Sequence, residues 1–567
     1  MRMTNKIMRN NSAYNINQNK ILQDKLTNQM TNQSKIVRPS DDPVVAIRAL
    51  RLRSNVSAVT QYNEKNAEDA KQWLTLTADA MTTVDEVLNH LYEQSTVSAD
   101  KYETSDDLRI ILSQMKQLTA EFYSCANVDY AGRYVFSGYR TDMPVTFTEE
   151  DERRMEKNPV AYNISESFGY EDVSSISYTN YDTLKEELTG TNTTTGDPNP
   201  SYPTGVDSTK SYEQHVANDT LYRFRISYND LDTLASGSSL TIKLPGMPDN
   251  ENIRVSSVGG TIQTAIVDDT GAAVASPVTT APQFAEFADQ EAAYQAIANG
   301  TGTPPVDIAF IPGSGELVFS KEYYDKAFNE AVFAGQDSFH VNYNKTSWQS
   351  GDINPIHYFE CLETKTISDP GVNPPVTRVT AYNTKRESKD QDIFYDVGYN
   401  QKIEVNTCAD EIFTHDVQRD MDDFDHYLKQ LESVEKFQKD LEEKQKAYPE
   451  DSKQYKDLEE RIEGVKKANV YIREEIHNKF ENQITKYQKY MDDSRVAMTD
   501  NATRGSRLEL VKTRLTNQQA TFKELQQDNE GIDITEVAVE LSSSELTYNA
   551  ALMATGKIMQ TNLMNYI

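Results

Sequence analysis

The chain has 567 residues, with 88 acidic and 57 basic side chains for a net charge of −31. That length holds roughly three or four domains, and the acidity argues against a nucleic-acid binder, whose footprint would be basic. No run of about eighteen apolar residues occurs, so no membrane span is expected. The opening residues MRMTNKIMRNNSAYNINQNK contain no apolar stretch of signal-peptide length.

The first segment predicts a helix from about Thr4 to Lys35, with Ile7, Tyr14 and Ile21 one heptad apart. Residues 1–54 hold ten bases against Asp24, Asp41 and Asp42, a local net of +7. This is either a solvated helix face or a basic flank that meets acidic neighbours in a polymer. A turn follows at Val37–Pro43. Pro43 suits the first helical position, where its missing N–H would be unpaired anyway. Asp42 can accept hydrogen bonds from the free N–H groups behind it, and its charge suits that helix end. Ser40-Asp41-Asp42-Pro43 therefore reads as a helix-start device.

Behind it, Val45, Leu52, Val59, Asn66, Trp73, Ala80 and Val87 recur at one heptad. So do Ala49, Val56, Asn63, Ala70, Thr77, Val84 and Leu91. Eleven of the fourteen are apolar, which predicts a narrow coiled-coil seam. Another helix starts at Thr104 or Ser105 and carries Leu108, Ile111, Met115, Leu118 and Phe122. It leads to Gly132-Arg133-Tyr134-Val135-Phe136-Ser137-Gly138, read as a short aromatic strand bracketed by glycines.

From about 140 to 410 helical periods vanish and short β-like runs appear: Tyr222–Tyr228, Leu240–Leu244, Asn252–Val258, Asp307–Ile311, Leu317–Ser320, Phe339–Tyr343, Val376–Tyr382 and Ile403–Asn406. Gly190–Gly205 reads as loop or disorder by composition. Residues 420–476 carry two apolar stripes, Phe424 to Leu441 and Tyr455 to Ile476, on either side of Pro449, which cannot continue a helix. This predicts an antiparallel helical hairpin that folds locally and projects into solvent, because its charges largely pair among themselves. The C-terminal seam runs through Val511, Leu515, Phe522, Leu525 and Ile532, then Val537, Leu541, Tyr548, Ala551 and Ile558, with Gly531 as a helix stop.

Chemistry is sparse. Seven scattered histidines form no HExxH pair, three cysteines are far apart, and Pro312-Gly313-Ser314-Gly315 lacks the Gly-Lys ending of a phosphate loop and reads as a β-turn. Asp528–Asp533 is too short for a calcium loop. No enzyme activity, cofactor or metal is expected, and function lies in assembly.

Arg38-Pro39-Ser40-Asp41-Asp42-Pro43 with Val44–Ser54, then Gln61-Tyr62, Asn66-Ala67, Ala126-Asn127 and Gly132–Gly138, resembles the flagellar hook-associated protein 3 family, the hook–filament junction proteins of the flagellin-like superfamily. Ile532–Leu541, Tyr548–Leu552 and Asn562–Ile567 resemble its tail. The likeness covers about 1–140 and 478–567. The hairpin looks like an insertion, and 140–410 is larger than the family's β domain. Flagellins, the nearest alternative, typically continue with small residues where Pro43-Val44-Val45 stands. A coiled-coil surface protein or tail fibre would explain the seams but not the SDDP and YVFSG motifs together.

The resemblance implies an α+β fold: an elongated flagellin-like stalk of terminal coiled-coil helices with a β-rich middle and an inserted helical hairpin. The expected domains are 1–42 with 515–567 (terminal polymerisation helices), 43–140 with 478–514 (helical stalk), 141–410 (β-rich outer part) and 411–477 (hairpin). The structural motif is Ser40, Asp41, Asp42, Pro43, Gly132, Tyr134, Phe136 and Gly138. The assembly residues are Ile7, Tyr14, Ile21, Val537, Leu541, Tyr548, Ala551 and Ile558. The implied partners are hook-associated protein 1, flagellin, further copies in a ring and a flagellar export chaperone, without nucleic acid or membrane. The implied location is the extracellular flagellum, reached through its export channel without a cleaved signal peptide.

Overall fold

The computed structural model describes residues 5–36, 38–40, 42–99, 104–169, 172–185, 210–245, 247–248, 250–277, 279–300, 302, 304–328, 339–367, 376–382 and 392–560. Asp41, Gly190–Gly205 and Asn562–Ile567 lie outside them. The helices are α1 (Asn5–Asn32), α2 (Pro43–Gln61), a π turn (Tyr62–Asn66), α3 (Ala67–Ser98), α4 (Ser105–Ser124), α5 (Glu149–Lys157), α6 (Gln290–Ala298), α7 (Lys321–Ala327), α8 (Asp416–Gln445), α9 (Lys453–Glu530) and α10 (Ile534–Gln560). The strands are β1 (Asp129–Tyr130), β2 (Arg133–Tyr134), β3 (Val160–Phe168), β4 (Val173–Asn180), β5 (Ala217–Arg225), β6 (Ser239–Lys243), β7 (Asn252–Val258), β8 (Thr261–Val267), β9 (Phe284–Glu286), β10 (Ile308–Ile311), β11 (Glu316–Phe319), β12 (Phe339–Lys345), β13 (Glu360–Ile367), β14 (Val376–Tyr382), β15 (Phe394–Gly398) and β16 (Gln401–Glu404).

These elements form two compact units. Met1–Leu74, Phe394–Val405 and Thr503–Ile567 make the first; Thr75–Ile393 and Asn406–Ala502 make the second. The divisions expected at 42 and 515 are therefore corrected. The reason is that α2 and the π turn are tied to the C-terminal part of α9. Arg53 Nε donates to both carboxylate oxygens of Glu530 (2.9 and 3.0 Å), and the Gln519 amide donates to Thr60 and Glu64 (2.9 and 2.7 Å). The β15–β16 hairpin, expected in the β-rich part, also belongs here. Asn66 Nδ2 donates to the Asp396 carbonyl (2.7 Å), Arg504 pairs with Glu404 (2.8 Å), and Val397, Ile403 and Val405 are buried.

None of the fourteen expected seam positions from Val45 to Leu91 is exposed, but the seam is wider than expected. A π turn takes up one residue more than an α turn, so the phase moves on by one behind Asn66. Ala67, Leu74, Met81, Leu88 and Ser95 form a buried line next to Trp73, Ala80 and Val87, and Ala70, Thr77, Val84 and Leu91 are buried as well. That makes three buried positions per heptad, the width of a globular helix face. In the C-terminal seam Leu515 is buried, whereas Leu525 is exposed, so that position is corrected too. Gly531 ends α9 as expected: a Cβ there would lie 2.4 Å from the Gln527 carbonyl oxygen.

The second unit contains a seven-stranded sheet, β14-β13-β3-β12-β6-β7-β8, and a five-stranded sheet, β4-β5-β11-β10-β9. Alternating strand residues face each other between them, including Ile164, Ile242, Val341 and Tyr343 from the first and Phe224, Leu317 and Phe319 from the second. The far side of the smaller sheet is covered by α6 through Ala293, Tyr294 and Ile297. Pro312–Gly315 is the turn between β10 and β11, with Gly315 N donating to the Pro312 carbonyl (3.2 Å).

The helical hairpin is present, with α8 and the start of α9 joined around Pro449, but its base does not project freely. Arg223 on β5 pairs with Glu316 (2.8 Å) and Asp423 (2.5 Å). Arg225 pairs with Asp420 (2.8 Å) and Asp423 (3.2 Å), and Lys486 reaches Asp420 (2.7 Å). Arg419, Asp420, Asp423 and Arg223 are all buried. Further along, Lys116 on α4 pairs with Asp425 (2.5 Å), and the Tyr212 hydroxyl donates to Asp457 (2.9 Å). The expectation of a self-paired projection is overturned, because Asp420 and Asp423 at the base of α8 take cations from the sheet.

Replacing Arg223 with Met strands two buried carboxylates and should cost about 3–5 kcal/mol. Urea unfolding followed through Trp348 in a Trp73→Phe background measures this; an unchanged midpoint would refute it.

A second test concerns pH. Burial raises the Glu166 carboxyl to about 7, although Tyr343 and Ser227 donate hydrogen bonds to it. Its folded pKa exceeds its unfolded one, so the folded state keeps a proton that the unfolded state releases. Stability is therefore lost as pH rises from about 4.5 to about 7, by up to roughly 3 kcal/mol at about 1.4 kcal/mol per unit. Glu166→Gln should remove this loss, so the gap between variant and wild-type stability should widen in the variant's favour over that window.

Candidate assembly surface

The helix-start device is local. Asp42 is extended (φ −151°, ψ 101°) and its Oδ1 accepts from Val44 N (3.0 Å) and Val45 N (3.1 Å). Pro43 opens α2. Ser40, Asp42 and Pro43 are exposed. This turn positions α2 and offers no chemistry.

The aromatic motif is not a strand throughout. Only Arg133–Tyr134 pairs, antiparallel with Asp129–Tyr130, across a turn in which Ala131 (φ 53°) and Gly132 (φ 78°) are both left-handed. Two positive φ values are the hairpin geometry that glycine favours. Beyond it, Tyr134 N donates to the Thr141 carbonyl (2.9 Å) and the chain bends back, with Gly138 left-handed (φ 62°). Phe136 is buried, its ring 5.3 Å from Phe413, which also meets Phe122 at 5.2 Å. The motif is thus a core plug of the second unit. Phe413, its main partner, lies far along the chain and carried no sequence signal.

The terminal helices are different. α1 and α10 pack together antiparallel, tied where Lys35 N donates to the Glu530 carbonyl (2.7 Å). Asp533 caps α10 by accepting from Thr535 N (2.8 Å) and Glu536 N (3.3 Å). The covered side of α10 holds Val537 and Ser544, both buried, and half-buried Leu541, Tyr548 and Ala551, as expected. The side chain of Ile558 is outside the described residues. The covered side of α1 is instead Met8, Ser12, Ile16, Asn19, Gln23 and Leu26.

Ile7, Tyr14 and Ile21 face away, 49%, 64% and 55% exposed. They therefore do not form the intrachain seam. A matching outer line on α10, which sequence reading missed, is Val539 (65%), Leu546 (73%) and Met553 (69%). Its heptad spacing was available in the sequence but was overshadowed by the stronger Val537–Ala551 pattern. Each helix of the pair thus carries one line of large apolar side chains on its outer side.

Among the described residues no group of three His, Cys, Asp or Glu side chains could hold a metal, and no helix is long and apolar enough to cross a membrane. His415 is packed among Tyr228, Tyr358 and Phe359, and burial lowers its pKa to about 3.

Asp42→Ala should cost about 0.5–2 kcal/mol of α2 stability. Amide hydrogen exchange over residues 43–61 should accelerate while exchange in the sheets of the second unit stays as it was. Unchanged protection in α2 would remove the cap from the account.

Residues 3–141 match the bacterial flagellin N-terminal helical region. Flagellar hook-associated protein 3 of Escherichia coli (strain K12) is 28% identical over 123 residues, 22% of this chain and 38% of that protein. Its counterpart in Salmonella typhimurium (strain LT2) is 26% identical over 119 residues, 21% of this chain and 37% of that protein. The matched part thus spans under two-fifths of these curated relatives. Crystal structures of Xanthomonas campestris FlgL and of Legionella pneumophila flagellar hook associated protein-3 align with 83% and 84% of this chain and 98% of each. Their identities are 10% and 8% and their TM-scores 0.27 and 0.26. The chain is flagellin-like through its N-terminal helical region, with flagellar hook-associated protein 3 among its relatives.

Proposed function

We propose that this chain is a structural subunit of the bacterial flagellum, forming the junction between hook and filament through packing of its terminal helices. The observation that carries this reading is the pair of outer apolar lines, Ile7/Tyr14/Ile21 and Val539/Leu546/Met553, which stay exposed among the described residues. The relatives named flagellar hook-associated protein 3 support the same reading from sequence. Its partners on this account are further copies in a ring, hook-associated protein 1 on one side and flagellin on the other. An export chaperone would cover the C-terminal helix before assembly, and delivery would use the flagellar channel without signal-peptide cleavage. The chain works by assembly and not by catalysis.

Immunogold labelling of isolated hook–filament complexes tests the reading. Label confined to a narrow band at the hook boundary is expected. Label along the whole filament would assign a filament subunit instead, and flagella without label would remove the reading altogether.

A further inference from the structure

The end of β12 places a lysine in the core of the second unit. Lys345 is buried, with Nζ 5.1 Å from the Trp348 ring, which is itself walled by Phe147, Tyr162 and Tyr228. Nζ donates to the Asn229 carbonyl (2.6 Å). Asp352 stands beside it, with Oδ2 3.7 Å from Nζ, a contact too long for a hydrogen bond. The loop between the two residues is pinned. Gln349 N donates to the same Oδ2 (3.1 Å), Phe147 N donates to the Asp352 carbonyl (2.8 Å), and Gly351 N donates to the Phe147 carbonyl (2.9 Å). An amine and a carboxyl group are thus held against each other in an aromatic pocket.

The ordinary outcome for two such groups is a buried ion pair, which needs close, hydrogen-bonded geometry to offset desolvation. That geometry is missing here, and burial acts against both charges. It holds the Lys345 amine below its usual range, helped by Arg419, although Asp352, Asp230 and Asp232 pull the other way. It also holds the Asp352 carboxyl above its usual range, against the pull of Lys345 and the Gln349 N–H. An ionised pair is inert, whereas a neutral amine beside a protonated carboxyl is a nucleophile beside its acceptor.

We propose that Lys345 and Asp352 join in an intramolecular isopeptide bond. Nζ attacks Cγ, the bond from Cγ to Oδ1 breaks, and one water leaves. The amine gives up one proton and the departing hydroxyl takes one up, so the step needs no oxidant, reductant or further reactant. Oδ2 carries the developing negative charge against the Gln349 N–H. Asp230 carries the proton between them: its Oδ2 accepts from the Gln349 side chain (3.1 Å), and its charge acts on both reacting groups. Well-oriented intramolecular partners react with effective molarities of about 10⁵–10⁸ M, and a pocket closed to water protects the product from hydrolysis. The bond ties the loop behind β12 covalently to the strand and keeps Trp348 in the core. It is independent of the assembly reading.

Mass spectrometry of the denatured full-length chain tests the proposal. The wild type should be lighter than its sequence by one water. Trypsin should not cut after Lys345, so Ala327–Lys365 should appear as one peptide short of one water, and Lys345 should resist acetylation in denaturant. A full sequence mass would overturn the proposal. So would a succinimide at Asp352, which loses the same water but leaves Lys345 open to trypsin and to acetylation. Lys345→Arg and Asp352→Ala should each restore the full mass, and a persisting loss in either would also overturn it. Asp230→Asn suits the left-handed backbone there (φ 47°). It should slow bond formation by about tenfold or more, read as the bonded fraction in freshly purified protein; an unchanged fraction would overturn the proton route.

Discussion

A helix pair can cover only one side of each of its members, and the ends of this chain are a helix pair. α1 and α10 have 28 and 27 residues, yet only Leu26, Val537 and Ser544 are buried among their described side chains. Helices of that length draw most of their stability from tertiary burial and not from propensity. The covered side is itself half polar, with Ser12, Asn19 and Gln23 on α1 and Ser544 on α10. Polar groups at seam positions help fix register at a cost in stability. The pair is thus built to be marginal alone and to gain from whatever covers its outer lines. Each large apolar residue there would add roughly 1–2 kcal/mol on being covered.

The second unit is organised by a different constraint. Its two sheets enclose an extensive aromatic and aliphatic core, and its hairpin is seated on the smaller sheet by ions as well as by apolar packing. Phe424 and Phe480 stack at 4.1 Å, while Arg223 and Arg225 hold Asp420 and Asp423 beneath the helices. Replacing such an ion group by apolar residues can leave a protein equally stable, whereas removing one member is costly. The arrangement consequently specifies one docking position for the hairpin: a shift by a helical turn would take Asp423 out of reach of Arg223 and Arg225. Tyr294 extends the same specificity to α6, accepting from Arg223 and donating to Glu316.

What the sequence disclosed follows how local each signal is. The Asp42 cap needed only its next few residues, and its hydrogen bonds fall where the residue types required. The helix at Thr104, the turn at Pro312–Gly315 and the strands at Asn252–Val258 and Val376–Tyr382 were legible for the same reason. The π turn was not, because one extra residue between two heptad runs leaves Asn63 and Asn66 looking like ordinary polar seam positions. β3 and β4 were missed because their apolar residues are interleaved with Ser, Thr and Asn that read as loop. Docking of the hairpin depended on Arg223 meeting Asp423 across 200 positions. Apolar stripes and charge density on the hairpin alone could not reveal that.

The candidate surface was half legible. Ile7, Tyr14 and Ile21 were identified as an assembly line from their spacing, but spacing does not say which partner a line meets. Two periodic lines on one helix compete for the same seam, and composition decides between them poorly when the seam itself is polar. Here α1 turns its more polar side, with Ser12, Asn19 and Gln23, toward its own chain and keeps Ile7, Tyr14 and Ile21 outside. In a chain that ended at its own surface this would be the wrong way round, because the larger apolar area stays in water. It becomes the favourable arrangement only when the outer side is the one that ends up most deeply covered, which is the situation of a subunit surrounded by its neighbours.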